Sequence, residues 1–230
     1  MIMPGVLHIT ATPIGNLGDI TLRAVEILKA ADLILCEDTR VAKKLLARFD
    51  IQTPLESYHQ HSTLRKTEHI INRLRQGENI ALVSDAGTPG ISDPGNRLVQ
   101  AVVKEFGDEI KIVPIPGANA AIAALSVSGF ATDKFVFFGF PPAKNKRQKY
   151  FQDLLDCEFA AVVYESNFRV LKTLAEIDKL NPNKSRQVVV CRELTKTFET
   201  IYRGTIAQVL EKVKKDPLKG EFVVILAGKQ

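Results

Sequence analysis

The stretch Ser84-Asp85-Ala86-Gly87-Thr88-Pro89-Gly90-Ile91-Ser92-Asp93-Pro94-Gly95 is the most informative part of the chain. It follows an apolar run at residues 80–83, which is typical of a buried strand. It precedes residues 96–103, whose apolar positions fit one face of a helix. A strand, a loop of small residues and a helix form the place where open α/β sheets bind their ligands. The small residues let the backbone approach a ligand closely, and Asp85 is predicted to point at that space.

Strand-like and helix-like segments alternate along the whole chain, which is typical of α/β proteins. Apolar runs of strand length occupy residues 6–12, 33–36, 80–83, 110–113, 135–138, 160–164, 187–191 and 221–226. Helical patterns cover residues 63–76, 118–128, 168–179 and 205–215, and Asp19 is the expected N-cap of an earlier helix. The alternation predicts a mainly parallel sheet with helices on both faces. Because the pattern restarts near Pro114, we predict two α/β domains, over residues 1–115 and 116–230.

The composition indicates a water-soluble, enzyme-sized protein. The 230 residues are 45% hydrophobic and 25% charged, and no apolar stretch reaches the roughly 18 residues that a membrane helix needs. The N-terminal residues lack the pattern of a signal peptide. Cys36, Cys157 and Cys191 are far apart and odd in number, which favours a reduced, cytoplasmic location and core positions for all three.

The net charge of +5 mildly favours a polyanionic partner, and positive residues are clustered. One cluster lies just before the aromatic residues Tyr150 and Phe151. It consists of Lys144, Lys146, Arg147 and Lys149. Positive charge beside aromatic rings suits RNA, whose phosphates the charges neutralise and whose bases stack on the rings. A second set recurs at helical spacing and comprises Arg40, Lys43, Lys44 and Arg48. Either set also fits an ordinary solvated surface, and the sequence leaves both interpretations open.

Several familiar chemistries have no signature in the sequence. There is no Walker-type phosphate loop, no Gly-x-Gly-x-x-Gly after a strand and no Gly-x-Ser-x-Gly elbow. His59, His61 and His69 have no cysteine or paired carboxylate at ligand spacing, so no metal site is predicted. The polar loop over residues 56–62 is interpreted instead as a loop that contacts substrate.

Five segments occur in an order that is characteristic of one family. They are residues 11–17 (Ala-Thr-Pro-Ile-Gly-Asn-Leu), 36–40 (Cys-Glu-Asp-Thr-Arg), 57–59 (Ser-Tyr-His), 84–95 and 116–119 (Pro-Gly-Ala-Asn). Over nearly its whole length the chain resembles the tetrapyrrole methylase superfamily, in particular the branch that acts on ribosomal RNA. The resemblance implies two α/β domains with S-adenosylmethionine folded into the cleft between them. It also implies a homodimer that methylates a cytidine ribose 2′-hydroxyl in 16S rRNA, at the decoding centre of the small ribosomal subunit.

The resemblance further implies which residues bind the cofactor. They are Pro13, Asp85, Ala86, Gly87, Thr88, Asn119, Ala120, Glu165 and Leu194. Where tetrapyrrole methylases have Gly-Asp-Pro, this chain has Ser84-Asp85-Ala86, a departure typical of the RNA-directed branch. Glu165 and Leu194 are expected to offer backbone groups at the adenine end, where residue identity is loosely constrained. Asp85 is expected to position the cofactor rather than to act as an acid.

The chemistry of methyl transfer points to two groups of candidate catalytic residues. A ribose hydroxyl is a weak nucleophile, so a general base or a stabilising cation is expected. Glu37, Asp38 and Arg40 leave a strand end in the first domain and form one candidate group. Lys196, beside Glu193 in the second domain, is the other candidate, since a buried lysine with a lowered pKa can act as a base. Each of these residues also fits a cluster of salt bridges at the rim of the cleft.

Two further functions remain open at this point. One is a methylase of the same superfamily that acts on a small tetrapyrrole, whose carboxylates also suit basic residues. The RNA-type motifs and the basic residues 144–149 argue against it. The other is a noncatalytic RNA-binding protein with a relic of the cofactor site, and the intact Gly87 and Gly90 argue against that function.

Overall fold

Two compact units make up the chain in the computed structural model, which describes residues 3–59, 62–181 and 185–229. Unit 1 is Met1–Asn119 and unit 2 is Ala120–Gln230. The boundary therefore lies just after the position expected from the sequence, residue 115. Within the described residues, no helix combines the length and the apolar character that crossing a membrane requires.

Unit 1 has a five-stranded parallel sheet in its described residues, with helices on both faces. The strands are β1 (Val6–Thr10), β2 (Leu33–Cys36), β3 (Leu55–Ser57), β4 (Ile80–Leu82) and β5 (Lys111–Ile115), in the spatial order β3-β2-β4-β1-β5. The helices are α1 (Leu22–Ala30), α2 (Thr39–Arg48), α3 (Leu64–Arg75) and α4 (Gly95–Phe106). Residues of α1 and α2 bury one face of the sheet, and residues of α3 and α4 bury the other. The predicted α/β class is confirmed.

Local capping chemistry sets the helix boundaries in unit 1. The side chain of Thr63 accepts the N–H of the third residue of α3, and Gly77 follows that helix with φ of +90°. These are the ends that the sequence predicts. The prediction for α1 is wrong, because its N-cap is Thr21 and Asp19 lies in a short 3-10 turn before it. Thr21 caps α1 because its side chain reaches the third N–H of the helix at 3.1 Å.

Unit 2 differs from the expected parallel pattern because most of its strand pairs are antiparallel. Its strands are β6 (Phe135–Gly139), β7 (Ala160–Ser166), β8 (Gln187–Arg192), β9 (Thr200–Thr205) and β10 (Glu221–Leu226), in the order β6-β7-β10-β8-β9. Only β6 and β7 pair in parallel among the described residues. Strand β9 was not predicted from the sequence; it follows β8 without an intervening helix and therefore returns antiparallel to it.

Helices cover both faces of the sheet in unit 2. They are α5 (Ala120–Ser126), α6 (Arg147–Asp156), α7 (Val170–Leu180) and α8 (Ile206–Lys215). One face packs against α5, and the other packs against α6, α7 and α8. Successive strand residues alternate between these faces: Val188 and Val190 lie on the three-helix side, whereas Val189 and Cys191 lie on the α5 side. Burial on both faces explains why these strands are continuous apolar runs rather than alternating ones.

Arg147 is part of the interior of unit 2, which corrects its expected role in RNA binding. Its guanidinium donates to Glu176 at 2.8 Å, to the hydroxyl of Thr173 at 3.0 Å and to the carbonyl of Pro142 at 2.7 Å. It also lies over the ring of Phe151, 4.9 Å from the centroid. The side chain is buried, so its donors hold α6 and α7 together and are not presented to a phosphate.

We predict that Arg147→Ala lowers the free energy of unfolding by about 3 kcal/mol, because it leaves Glu176 and Thr173 without their buried partner. Lys149→Ala is the matched control, since Lys149 is exposed and its ion-pair partner, the exposed Asp153, lies on the same helix, and it should change stability by at most about 0.5 kcal/mol. Urea denaturation measures both values. Equal losses in the two variants would contradict the structural role of Arg147.

Candidate active site

The loops that carry the predicted site residues of unit 1 meet at one edge of its sheet. Because the five strands are parallel, their carboxyl ends lie together there. The chain leaves β1 toward the face covered by α1, whereas it leaves the adjacent β4 toward the face covered by α4. Neighbouring strands whose connections diverge to opposite faces create the crevice in which α/β proteins bind ligands.

A backbone bridge ties the loops after β1 and β4 where they begin to diverge. The N–H of Thr12 donates to the carbonyl of Gly87 at 2.9 Å, and the N–H of Gly87 donates to the carbonyl of Thr12 at 3.1 Å. The Thr12 hydroxyl adds a bond to the carbonyl of Ser84 at 3.2 Å. The Ser84 hydroxyl lies within 3.3 Å of the Gly87 carbonyl. Three hydrogen bonds thus fix the position of the first loop relative to the loop of residues 84–95, and the Ser84 hydroxyl braces the second loop internally.

Glycine and one carboxylate shape the loop of residues 84–95. Gly87 and Gly90 have φ of +82° and +86°, a conformation that residues with a Cβ rarely adopt. Asp93 closes the second half of the loop, since its Oδ1 accepts the N–H groups of Gly90 and Gly95, each at 2.8 Å. Asp93 was missed by the sequence analysis, although an aspartate two residues before a helix N-terminus is a typical local acceptor.

The loop after β5 joins the same assembly. A Cβ on Gly117 would lie 2.9 Å from the Cβ of Ala11, so only glycine lets this turn pack against the end of β1. The Thr88 hydroxyl contacts the carbonyl of Ala118 at 3.4 Å. Pro13 is buried beside these loops, and Asn119 follows directly. The structure therefore brings together the predicted unit 1 residues Pro13, Asp85, Ala86, Gly87, Thr88 and Asn119.

Carboxylates surround Glu37 at this edge. Burial raises the pKa of Glu37, and the negative charges of Asp85 and Asp93 raise it further, while His59 partly opposes them. Asp85 accepts the backbone N–H of Asp38 at 3.0 Å, which links the end of β2 to the end of β4. A carboxylate whose pKa is raised toward neutrality is a stronger base than an ordinary glutamate.

Asp38 and Arg40 form a local pair rather than a second base. Hydrogen bonds from the Arg40 side chain and backbone lower the pKa of Asp38 to about 2. The same carboxylate is the N-cap of α2 and accepts the N–H of Arg40 at 2.8 Å. An acid this strong is a poor proton acceptor, so Glu37 is the better candidate base of the three predicted residues.

Other groups near this edge are structural or lie outside the described part of the chain. Cys36 is a core residue, and burial raises the pKa of its thiol to about 11. The thiol therefore stays protonated and is not a nucleophile. Tyr58 is buried in the core as well, so it is not part of a substrate-contacting surface as its loop suggested. His61 lies outside the described residues. Across the described residues, no group of three His, Cys, Asp or Glu side chains has the arrangement of a metal site.

In unit 2 the two predicted cofactor residues near the strand ends have different surroundings. Leu194 packs on the same face as Ala120 and Tyr164. The carboxylate of Glu165 is fully buried on the opposite face, where it accepts from the Thr173 hydroxyl at 2.6 Å and pairs with Arg169 at 3.0 Å. Only the backbone of Glu165 is therefore available to a ligand on the Leu194 side.

Lys196 is held as a cation, which corrects the hypothesis of a lysine base. Burial lowers the pKa of Lys196, but hydrogen bonds to Glu193 at 2.8 Å and Glu221 at 2.7 Å outweigh it and raise the pKa above the ordinary value. Glu193 also accepts the N–H of Glu221 at 3.0 Å and has φ of +52°. Lys196 thus stabilises a strained turn after β8.

The predicted basic surfaces are exposed apart from Arg147. Lys144, Lys146 and Lys149 are exposed at the start of α6, and the basic residues of α2, namely Arg40, Lys43, Lys44 and Arg48, are exposed along that helix. The aromatic partners predicted for the first cluster are wrong, because Phe151 is buried and Tyr150 packs edge-on against Phe138 and Phe151. Any base-stacking rings must be found elsewhere.

Comparison with known proteins places the chain in a family. The sequence model described as Tetrapyrrole (Corrin/Porphyrin) Methylases matches residues 6–210. The chain belongs to the tetrapyrrole methylase family. It is 48% identical over 225 residues to the ribosomal RNA small subunit methyltransferase I of Synechocystis sp., covering 97% of this chain and 79% of that protein. The proteins of the same name from Escherichia coli O157:H7 and Bacillus subtilis are 46% and 42% identical, again over 97% of this chain and over 78% and 75% of theirs. This family member is therefore a methyltransferase, and it is similar over nearly its whole length to proteins named ribosomal RNA small subunit methyltransferase I.

Solved structures share the fold of this family member at low sequence identity. Diphthine synthase aligns with a TM-score of 0.74 and 14% identity, over 97% of this chain and 90% of that one. Cobalt precorrin-4 methyltransferase aligns with a TM-score of 0.67 and 19% identity, over 96% and 94%. At these identities the likeness establishes the two-domain α/β fold alone.

We predict that Gly87→Ala weakens binding of S-adenosylmethionine, the expected cofactor, by at least about tenfold, because a Cβ at φ of +82° strains the bridge to Thr12. Gly129→Ala is the matched control: Gly129 also has positive φ, +77°, but lies in unit 2 with open space around it. Both variants should lose about 1 kcal/mol of stability, and only the first should lose affinity in isothermal titration. Equal affinities of the two variants for S-adenosylmethionine would show that the backbone bridge does not shape the cofactor site.

Proposed function

We propose that this protein uses S-adenosylmethionine to methylate the ribose 2′-hydroxyl of a cytidine in 16S rRNA of the small ribosomal subunit. The main support is the near full-length identity of 42–48% to proteins named ribosomal RNA small subunit methyltransferase I. Further support is that Glu37, a candidate base, lies at the carboxyl edge of the unit 1 sheet beside loops that suit a small cofactor. A cytoplasmic location and a homodimer belong to the same proposal and rest on the resemblance.

The residues at the unit 1 edge fit the chemistry of S-adenosylmethionine. The cofactor combines a cationic sulfonium with an amino group, both of which carboxylates and carbonyl oxygens stabilise. Asp85 and Ala86 are exposed just after the end of β4. Gly87 and Gly117 have no side chain, so the neighbouring loops pack closely around them. The residues proposed to hold the cofactor at this edge are Pro13, Asp85, Ala86, Gly87, Thr88 and Asn119. For unit 2, the family resemblance supports the proposal that Ala120 and the backbones of Glu165 and Leu194 are cofactor residues as well.

Glu37 is proposed to accept the proton of the ribose hydroxyl. When bound, S-adenosylmethionine supplies a methyl group that passes to the hydroxyl oxygen as its bond to sulfur breaks. Glu37 Oε would take the proton released from that oxygen, and its raised pKa makes this transfer more favourable than with an ordinary carboxylate. Asp38 is too acidic for the role, and Lys196 is already protonated.

Exposed positive charge supports an RNA substrate. The connection between β6 and α6 carries Lys144 and Lys146 and contains no acidic residue. The exposed residues of α2, which begins next to Glu37, include Arg40, Lys43 and Lys44. Neutralising RNA phosphates with such residues gives affinity that falls steeply as salt concentration rises.

A methylase of small tetrapyrroles is the second candidate, because the matching family model carries that description. The comparisons favour this candidate less, because cobalt precorrin-4 methyltransferase is only 19% identical to this chain. A precorrin or porphyrin substrate would be methylated in the absence of RNA, which separates the two candidates directly.

We predict that the rate of rRNA methylation rises with pH as Glu37 loses its proton, with a midpoint above the ordinary range of glutamate because its pKa is raised. Glu37→Gln should lower kcat by about 100-fold or more and abolish this acidic limb. Glu109→Gln, at an exposed position away from the sheet edge, is the control and should keep the wild-type profile. If the methylation rate of Glu37→Gln still rose with pH over the same range as in the wild type, the base would be another group.

The proposal is tested by mass spectrometry of 16S rRNA from cells that lack the gene. One cytidine is expected to lose its 2′-O-methyl group, and the wild-type gene should restore it. Asp85→Ala should not restore it, because that variant is expected to bind S-adenosylmethionine about 100-fold more weakly while remaining folded. Asp108→Ala, an exposed control in the same unit, should restore the modification. An rRNA profile identical to that of the parent strain would overturn the proposal.

A further inference from the structure

Three phenylalanines in the described part of unit 2 are exposed to an unusual degree. Phe140 is 51% exposed, Phe168 is 90% exposed and Phe198 is 71% exposed. Large apolar side chains that stand in solvent, when grouped, mark a surface that contacts a partner. None of the three lies within a strand or helix, so packing of regular structure does not account for them.

The topology of unit 2 brings these three residues to the same edge of its sheet. Phe140 directly follows β6, Phe168 follows β7 and Phe198 lies between β8 and β9. The carboxyl ends of β6, β7 and β8 lie at one edge, because β6 and β7 are parallel and β10 pairs antiparallel with both β7 and β8. Three strand spacings of roughly 4.8 Å separate β6 from β8, so the strand ends that carry these loops span about 14 Å.

Contacts within this edge hold the Phe140 ring and order the chain next to Phe168. The guanidinium of Arg169 donates to the carbonyl of Pro141 at 3.3 Å, which ties the residue after Phe168 to the residue after Phe140. The ring of Phe140 meets the ring of Tyr164 edge-on, with centroids 5.5 Å apart. The contact with Tyr164 restricts the motion of the Phe140 ring and leaves half of it exposed, which reduces the entropy lost on binding.

The charge beside the rings favours a polyanion over an apolar protein surface. Lys144 and Lys146 are exposed in the loop that Phe140 begins. The two acids near Phe198 are used internally: Glu193 binds Lys196, and Glu199 accepts the N–H of Thr195 at 2.6 Å. Aromatic rings beside exposed positive charge are the recognition chemistry of single-stranded nucleic acid.

We propose that Phe140, Phe168 and Phe198 form a platform on which unpaired bases of RNA stack, while Lys144 and Lys146 neutralise the adjoining phosphates. The inference rests on the proposed function and adds how the substrate is held: the target segment of rRNA is single-stranded where it crosses unit 2. The platform replaces Tyr150 and Phe151, whose rings are packed within unit 2.

The test measures RNA affinity by fluorescence anisotropy at one fixed salt concentration, with a labelled single strand of about 12 nucleotides. Phe168→Ala and Phe198→Ala should each weaken binding by about 5- to 100-fold, the effect of removing one base–aromatic stack. Phe168→Leu should lose nearly as much, since leucine keeps the apolar surface without the ring face. The same strand paired into a duplex should bind all variants equally, because its bases are not available for stacking.

Phe159→Ala is the matched control, because Phe159 is 40% exposed but precedes β7 and so lies at the opposite edge of the sheet. It should bind the RNA strand within about twofold of the wild-type value. Affinity for S-adenosylmethionine should be the same in all of these variants, which shows that they remain folded.

Several results would overturn the platform. Unchanged RNA affinity in both alanine variants would do so. RNA affinity equal to that of the wild type in Phe168→Leu would also do so. A third such result is an alanine variant that dissociates from a dimer into monomers and keeps its RNA affinity. A fall in cofactor affinity with RNA affinity unchanged would assign the rings to the cofactor site instead. Wild-type protein that methylates no rRNA, yet loses RNA affinity in these variants, would overturn the proposed function and support the platform.

Discussion

The backbone bridge between Thr12 and Gly87 is the constraint on which the candidate site depends. It joins the ends of two adjacent parallel strands at the point where their connections diverge to opposite faces of the sheet. Without it, the two loops would be free to move apart, since each belongs to a different layer of helices. The bridge needs φ of +82° at Gly87 and a short side chain at Thr12 that can reach the carbonyl of Ser84. Local backbone geometry therefore explains the small residues in the loop of residues 84–95.

The same loop sets the electrostatics of the edge. Asp85 supports the backbone at Asp38. Burial raises the pKa of Glu37, and the negative charges of Asp85 and Asp93 raise it further. The neighbouring carboxylates thus have different properties: Asp38 is strongly acidic because Arg40 holds it, and Glu37 is a better base because it is partly buried among negative charges. Such a separation of pKa values between adjacent acids is the pattern that distinguishes a base from its supporting residues.

Much of unit 1 could be predicted from the sequence because its signals are local. The apolar runs mark the strands, Thr63 and Gly77 mark the ends of α3, and the order of strands and helices implies a parallel sheet. Unit 2 was predicted less well, since β9 has no strong apolar run and its pairing with β8 depends on a turn. The prediction for Arg147 was wrong because charged residues are usually exposed, and the partners that allow this one to be buried, Thr173 and Glu176, lie on another helix. Exposed rings such as Phe168 were equally inaccessible to the sequence, where they resemble core residues.

The central claim is that the tied loops of unit 1 hold S-adenosylmethionine with Asp85 against it and Glu37 nearby. A crystal structure of the protein with S-adenosylhomocysteine, the product of methyl transfer, tests this claim most directly. The account predicts that the ligand contacts Pro13 and residues 85–88, with Glu37 facing the position that the methyl group would occupy. A ligand bound away from these loops, or one that leaves Asp85 and Glu37 in open solvent, would contradict it.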